Sequence, residues 1–284
     1  MQIKIDQARQ VTNSFSLQTP VFVDRENEAR RLEESILKRE GRVISGPAGI
    51  GKTALVLKAI GGLPAELARH CLYVVTFKDL QGLLRQLVSS LYESKDPNLR
   101  QQLHLEGVTN LNFEPWLRAL SSGRLKATLF RTVERGDYRV FLDHLPPLTR
   151  AVAKVIKELF WMRNTPVYLL VQNELAQHLY NFYSFFYWGD RERLTLQPLP
   201  GAAAAELLKS CIERFGLSRL ELEDFRDEVL ELSKRVPGAI VKMCSLAADP
   251  RYQYESGIKI KSVYIDYLMS GHDLLASAPA RGNE

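Results

Sequence analysis

A lysine and a threonine side by side after a glycine-rich turn, and an aspartate closing an apolar run, are the residues whose types and spacing could do chemistry. Gly46, Pro47, Ala48, Gly49, Ile50, Gly51, Lys52 and Thr53 read GPAGIGKT. They match G-x-x-x-x-G-K-[ST], whose glycines let backbone N–H groups turn inward around phosphate oxygens. Lys52 would reach the terminal phosphates of a nucleotide and Thr53 would offer its hydroxyl to Mg²⁺. Ala54 opens a helical stretch whose positive end faces the anion. Asp143 closes YRVFLD, an apolar strand ending in a carboxylate, and can hold Mg²⁺ opposite Thr53, directly or through water. The expected cofactors are ATP or ADP with Mg²⁺.

These residues need strands to carry them and helices to brace the strands. Residues 42–45 form a short β-branched strand leading into the glycine loop, and Gly61 and Gly62 stop the helix behind it. Residues 71–77, 138–143, 166–172 and 193–197 read as further buried strands. Between them lie helical patterns. Ala29, Leu32 and Ile36 recur on one face of a helix for which Asp24 is the candidate N-cap and Gly41 the end. Leu80, Leu83, Leu84, Leu87, Val88 and Leu91 mark a second, residues 113 to about 134 a third, and Val152, Val155, Ile156, Leu159 and Phe160 a fourth. Residues 94–112 read as polar and irregular. Alternation of helix and strand predicts an α/β fold with a mostly parallel five-stranded sheet flanked by helices on both faces.

After Pro198, Pro200 and Gly201 the pattern is helical over 202–215, 222–234 and 238–248, enough for a small bundle. The expected organisation is an N-terminal strap over 1–20, a P-loop core over 21–199, a helical lid over 200–250 and a tail over 251–284 that ends without regular structure. The aromatic run NFYSFFYW at 181–188 fits core filling or a contact face.

A chain of 284 residues with 45% hydrophobic content can bury a substantial core. It has no apolar run near the ~20 residues that cross a bilayer, and MQIKIDQARQ is too polar for a signal peptide. No membrane association and a cytoplasmic location are expected. Cys71, Cys211 and Cys244 lack disulfide or zinc spacing and read as buried thiols. A net charge of +5 permits contact with nucleic acid without indicating it, because the basic residues are scattered.

With both motifs placed, residues 21–248 resemble the AAA+ and STAND class of P-loop ATPases, which includes archaeal origin-recognition ATPases and the NACHT and NB-ARC switches. VFVDRENE at 21–28 is similar to the hydrophobic-G-R-E-x-E box near the adenine, so the resemblance implies that Arg25 borders the nucleotide; Asp24 stands where the family has glycine. RVPGAI at 235–240 resembles the G-x-P motif by which the lid touches nucleotide, with Arg235 replacing glycine and Pro237 carried over. His144 departs from the acid that many relatives place after the aspartate. A neutral imidazole with no fixed orienter could accept a proton poorly, or hydrolysis could be absent and the protein act as a switch. Gln172 or Asn173 matches the family's sensor position. Arg191 and Arg193 lie where relatives place an arginine that enters a neighbour's site.

The resemblance implies an Mg-ATP-binding molecular switch or weak ATPase that self-associates when ATP-bound and engages a protein partner. The alternative is a DNA-associated ATPase similar to replication-initiation or transposition regulators, binding DNA without sequence preference. A P-loop kinase or transporter-type ATPase is the third reading, and no acceptor motif supports it.

Overall fold

Short apolar strands at 42–46, 71–74 and 139–142, each followed by a helix, leave the chain one economical way to bury them: a parallel sheet covered on both faces. The computed structural model describes residues 22–145, 148–162, 165–172, 193–255 and 257–276. Among these residues two compact units result, the first taking 25–47, 52–145, 148–162, 165–172 and 193–196, the second 22–24, 48–51, 197–255 and 257–276.

In the first unit β1 (Arg42–Gly46), β2 (Cys71–Val74), β3 (Arg139–Leu142), β4 (Val167–Gln172) and β5 (Arg193–Thr195) form a five-stranded sheet in the order β2-β3-β4-β1-β5. Every pairing is parallel. Successive side chains on a strand point to opposite faces, so each strand feeds two cores. Val43, Leu72, Val74, Val140, Leu142, Leu169 and Val171 share one core with the apolar stripes of α4 (Leu80–Glu93), α7 (Ser122–Arg135) and α8 (Arg150–Phe160). The helices α1 (Glu26–Leu37) and α2 (Lys52–Gly62) pack together and bury Leu32, Ile36, Leu55 and Val56. A short α3 (Ala65–Arg69) precedes β2.

Tyr73, Phe141 and Tyr168 are register partners on β2, β3 and β4. Their rings stack across the sheet, with centroids 6.2 Å apart for the first pair and 4.4 Å for the second.

Several local expectations give way. Residues 94–112 contain α5 (Pro97–Leu105), because Asp96 Oδ1 caps the Leu99 N–H and Pro97 presets the first helical φ. The helix expected over 113–134 is two, α6 (Phe113–Ala119) and α7: Leu120 is extended with ψ 135, and Ser121 restarts the helix by accepting from Arg124 N–H. The N-cap of α1 is Arg25 and not Asp24, whose φ of +51 bends the chain ahead of it. That helix ends at Leu37, with Arg39 left-handed behind it, and not at Gly41.

The second unit packs α9 (Gly201–Arg214), α10 (Glu223–Leu232), α11 (Pro237–Ala247) and α12 (Ile260–Ala276) around Leu207, Leu208, Val229, Ile240, Met243, Cys244 and Val263. The tail contains helix α12 behind a two-residue hairpin that pairs β6 (Gln253–Tyr254) with β7 (Gly257–Ile258). The alternation of Ile258, Lys259, Ile260 and Lys261 is strand-like only as far as Ile258. All three cysteines are free and buried. The N-terminal strap, the aromatic run 181–188, Asn173 and Arg191 lie outside the described residues.

Candidate functional site

Strand β1 delivers the chain into the glycine loop, and α2 begins at Lys52. Gly51, at φ +101, takes a conformation that side-chain-bearing residues rarely adopt. Lys52 is 8% exposed and its Nζ donates to the carbonyls of Gly46 and Pro47, each at 2.8 Å. The ammonium is thus held over the first turn of the loop by the loop's own backbone.

Asp143 stands one residue past the end of β3, and Thr53, the second residue of α2, reaches its carboxylate. Asp143 is 2% exposed and is held by three close donors. Thr53 Oγ1 and Tyr73 Oη each donate to Oδ2 at 2.6 Å, and the His144 N–H donates to Oδ1 at 2.7 Å. Burial pulls the carboxyl pKa upward, but the bonds from His144, Thr53 and Tyr73 outweigh it and hold Asp143 below the usual aspartate value. Burial first, then Asp143, lifts Tyr73 well above the ordinary tyrosine pKa, so its hydroxyl stays a donor.

His144 has φ +44, an unusual backbone state for a residue with a side chain. The bend turns its ring back over the strand ends. Nδ1 lies 3.2 Å from the Val75 carbonyl and 3.3 Å from Asp143 Oδ1, both of them acceptors, so the proton belongs on Nδ1. The hydrogen bond to Asp143 raises the histidine pKa against the opposing effect of burial. The imidazole therefore has an orienter after all, a backbone carbonyl that no sequence pattern marks.

Gln172 ends β4 as the register partner of Gly46, half-buried beside the start of the loop. Arg193 is not brought there: it pairs with Val43, three positions before Gly46, and is exposed. Arg25 is 8% exposed and its Nη1 meets Glu28 Oε1 at 3.1 Å.

In the second unit, loop residues 48–51 meet the start of α11. Pro237 is its first residue, and the Gly238 N–H donates to Gly49 O at 2.8 Å. A Cβ on Gly238 would lie 2.8 Å from Gly49 Cα and 2.9 Å from Gly49 O, so only glycine fits. Arg235, the residue in place of the motif's glycine, has φ +59, and Asp24 likewise has φ +51. Both keep the left-handed backbone that glycine would adopt without strain.

Tyr73, Val75 and Gly238 are the site residues missed in the sequence. Tyr73 and Val75 read as ordinary strand residues, whereas Gly238, directly after Pro237, carried a signal in its position.

The sheet order, the loop and the carboxylate strand together define an AAA+-type P-loop ATPase fold. The Walker-type ATPase PABY2304 of Pyrococcus abyssi superposes with a TM-score of 0.57 at 17% identity, over 90% of this chain and 74% of that one. The Aeropyrum pernix ORC1 protein in complex with DNA gives 0.57 at 16% identity, over 90% and 67%. The ADP form of the Aeropyrum pernix ORC2 protein gives 0.57 at 16%, over 96% and 74%. At these identities the likeness is one of fold. No protein-family model and no curated protein matches the sequence.

Proposed function

We propose that the chain binds Mg²⁺-ATP or Mg²⁺-ADP at the loop 46–53 and works as an AAA+/STAND-type molecular switch or weak ATPase, coupling nucleotide state to self-association or to a protein partner. The observation that carries this is the Lys52–Thr53–Asp143 cluster, a buried ammonium and a hydroxyl at the start of α2 with the carboxylate that follows β3 bonded to that hydroxyl.

The donor set suits a hard cation. Thr53 and Asp143 supply oxygens only, which is what Mg²⁺ takes. Among the described residues no group of three or more His, Cys, Asp or Glu could hold a metal by itself. Mg²⁺ would thus be shared with nucleotide phosphates, where it neutralises charge. Lys52 would exchange its loop carbonyls for phosphate oxygens, and Gln172 would face the outer phosphate from β4. Pro237 and Arg25 are the candidates for contact with the rest of the nucleotide, Asn173 for the sensor, and Arg191 or Arg193 for reaching a neighbouring copy.

His144 decides between turnover and switching. In the neutral ring, with the proton on Nδ1, Nε2 is the acceptor able to orient a water; the raised pKa widens the pH range in which that nitrogen is protonated and cannot accept.

Isothermal calorimetry with ATP tests the proposal. Wild-type protein with Mg²⁺ should bind, and Lys52→Ala should lose at least about tenfold in affinity, because a charge-assisted contact to phosphate is removed. Equal affinities would overturn it. The DNA-associated reading rests on the fold shared with an ORC1 protein whose structure contains DNA.

A further inference from the structure

We propose that Tyr73 is a positioning residue that sets the Mg²⁺ requirement of the nucleotide site, a proposal that rests on the nucleotide-binding reading above. Phe141 and Asp143 lie two residues apart and therefore on the same face of β3's line, and Tyr73 is the register partner of Phe141. A tyrosine ring leaning along the strand covers that two-residue rise of roughly 7 Å. Its hydroxyl meets Asp143 Oδ2 at 2.6 Å. The ring is itself fixed, stacked on Phe141, which stacks on Tyr168.

A carboxylate accepts about four hydrogen bonds. Thr53 and Tyr73 fill Oδ2 while the His144 N–H, at 2.7 Å, and its Nδ1–H, at 3.3 Å, face Oδ1. The terminal torsion of an aspartate is soft, so its plane is set by donors and not by its own rotamer. Tyr73 is the donor that comes from outside both the phosphate loop and the adjacent residue His144. Its effect passes through Thr53. While Oδ2 stays in place it receives the single Thr53 proton, and both lone pairs of that hydroxyl are left for a cation. If the carboxylate turned, the Thr53 proton would lose its acceptor, and the hydroxyl would no longer be held with its lone pairs available to a cation.

The test is a Mg²⁺ titration of fluorescent ADP binding, with Tyr168→Phe as the matched control. Tyr168 belongs to the same aromatic row, but its hydroxyl donates to Ser35 O at 3.2 Å. Tyr73→Phe keeps the ring and removes only the hydroxyl. The Mg²⁺ midpoint should rise roughly three- to tenfold, with affinity in EDTA within about twofold, and Tyr168→Phe should leave the midpoint unchanged. An unchanged midpoint in Tyr73→Phe, or an equal shift in both variants, overturns the assignment while leaving nucleotide binding intact. Wild-type protein that binds no nucleotide with or without Mg²⁺ overturns both proposals.

Discussion

His144 shows how much a single backbone angle can decide. At φ +44 its N–H faces Asp143 and its ring faces the Val75 carbonyl, an arrangement an ordinary strand-end residue would not adopt. A general base in such a position contributes about 10²–10⁴ to rate when it acts. We therefore expect His144→Ala to lower any ATP turnover by at least about tenfold while nucleotide affinity changes only a few-fold, in steady-state phosphate-release and binding assays. A turnover that Ala leaves unaltered would show that His144 takes no part in hydrolysis. The GKT residues are legible because glycines, lysine and threonine at fixed spacing have a local physical meaning. The orienting carbonyl is not, since every residue carries one.

Helix α11 illustrates the same limit one level up. Glycine inside a helix is normally a loss, and replacing it with alanine gains about 0.5–1 kcal/mol. At Gly238 the sign should reverse, because the new methyl would meet Gly49 backbone that cannot swing aside. Gly238→Ala should destabilise the fold by about 1–3 kcal/mol, the usual range for overpacking, and weaken nucleotide binding; denaturant unfolding and calorimetry check the two effects. A stabilised variant with full affinity would show that α11 does not need this approach. Helices α4 and α8 are legible as elements, for their leucines and valines repeat at one-turn intervals. Helix α5 is hidden by polar composition, although Asp96–Pro97 is a start signal. Helix α12 is hidden by four residues of alternation that suit a strand equally well.

Over the whole molecule the described residues contain no helix long and apolar enough to cross a membrane, and the net charge is +5. A basic chain without a legible recognition helix meets DNA through phosphates, where each contact releases counterions. Any duplex binding should therefore be indifferent to sequence and fall at least about tenfold between 50 and 200 mM salt. Fluorescence anisotropy with two unrelated duplexes measures this. Protection of one defined site in a footprint would contradict it.

The sequence by itself determined the glycine loop with its lysine and threonine, the carboxylate strand and the alternation that makes a parallel sheet, because each depends on residues within one or two turns of chain. Tertiary structure decided which partners those residues meet. Asp143 takes its hydroxyl donors from positions 90 and 70 residues away, and the order β2-β3-β4-β1-β5 brings Tyr73 beside it. Strand order and register are set by how whole faces are buried, a condition that no local spacing contains.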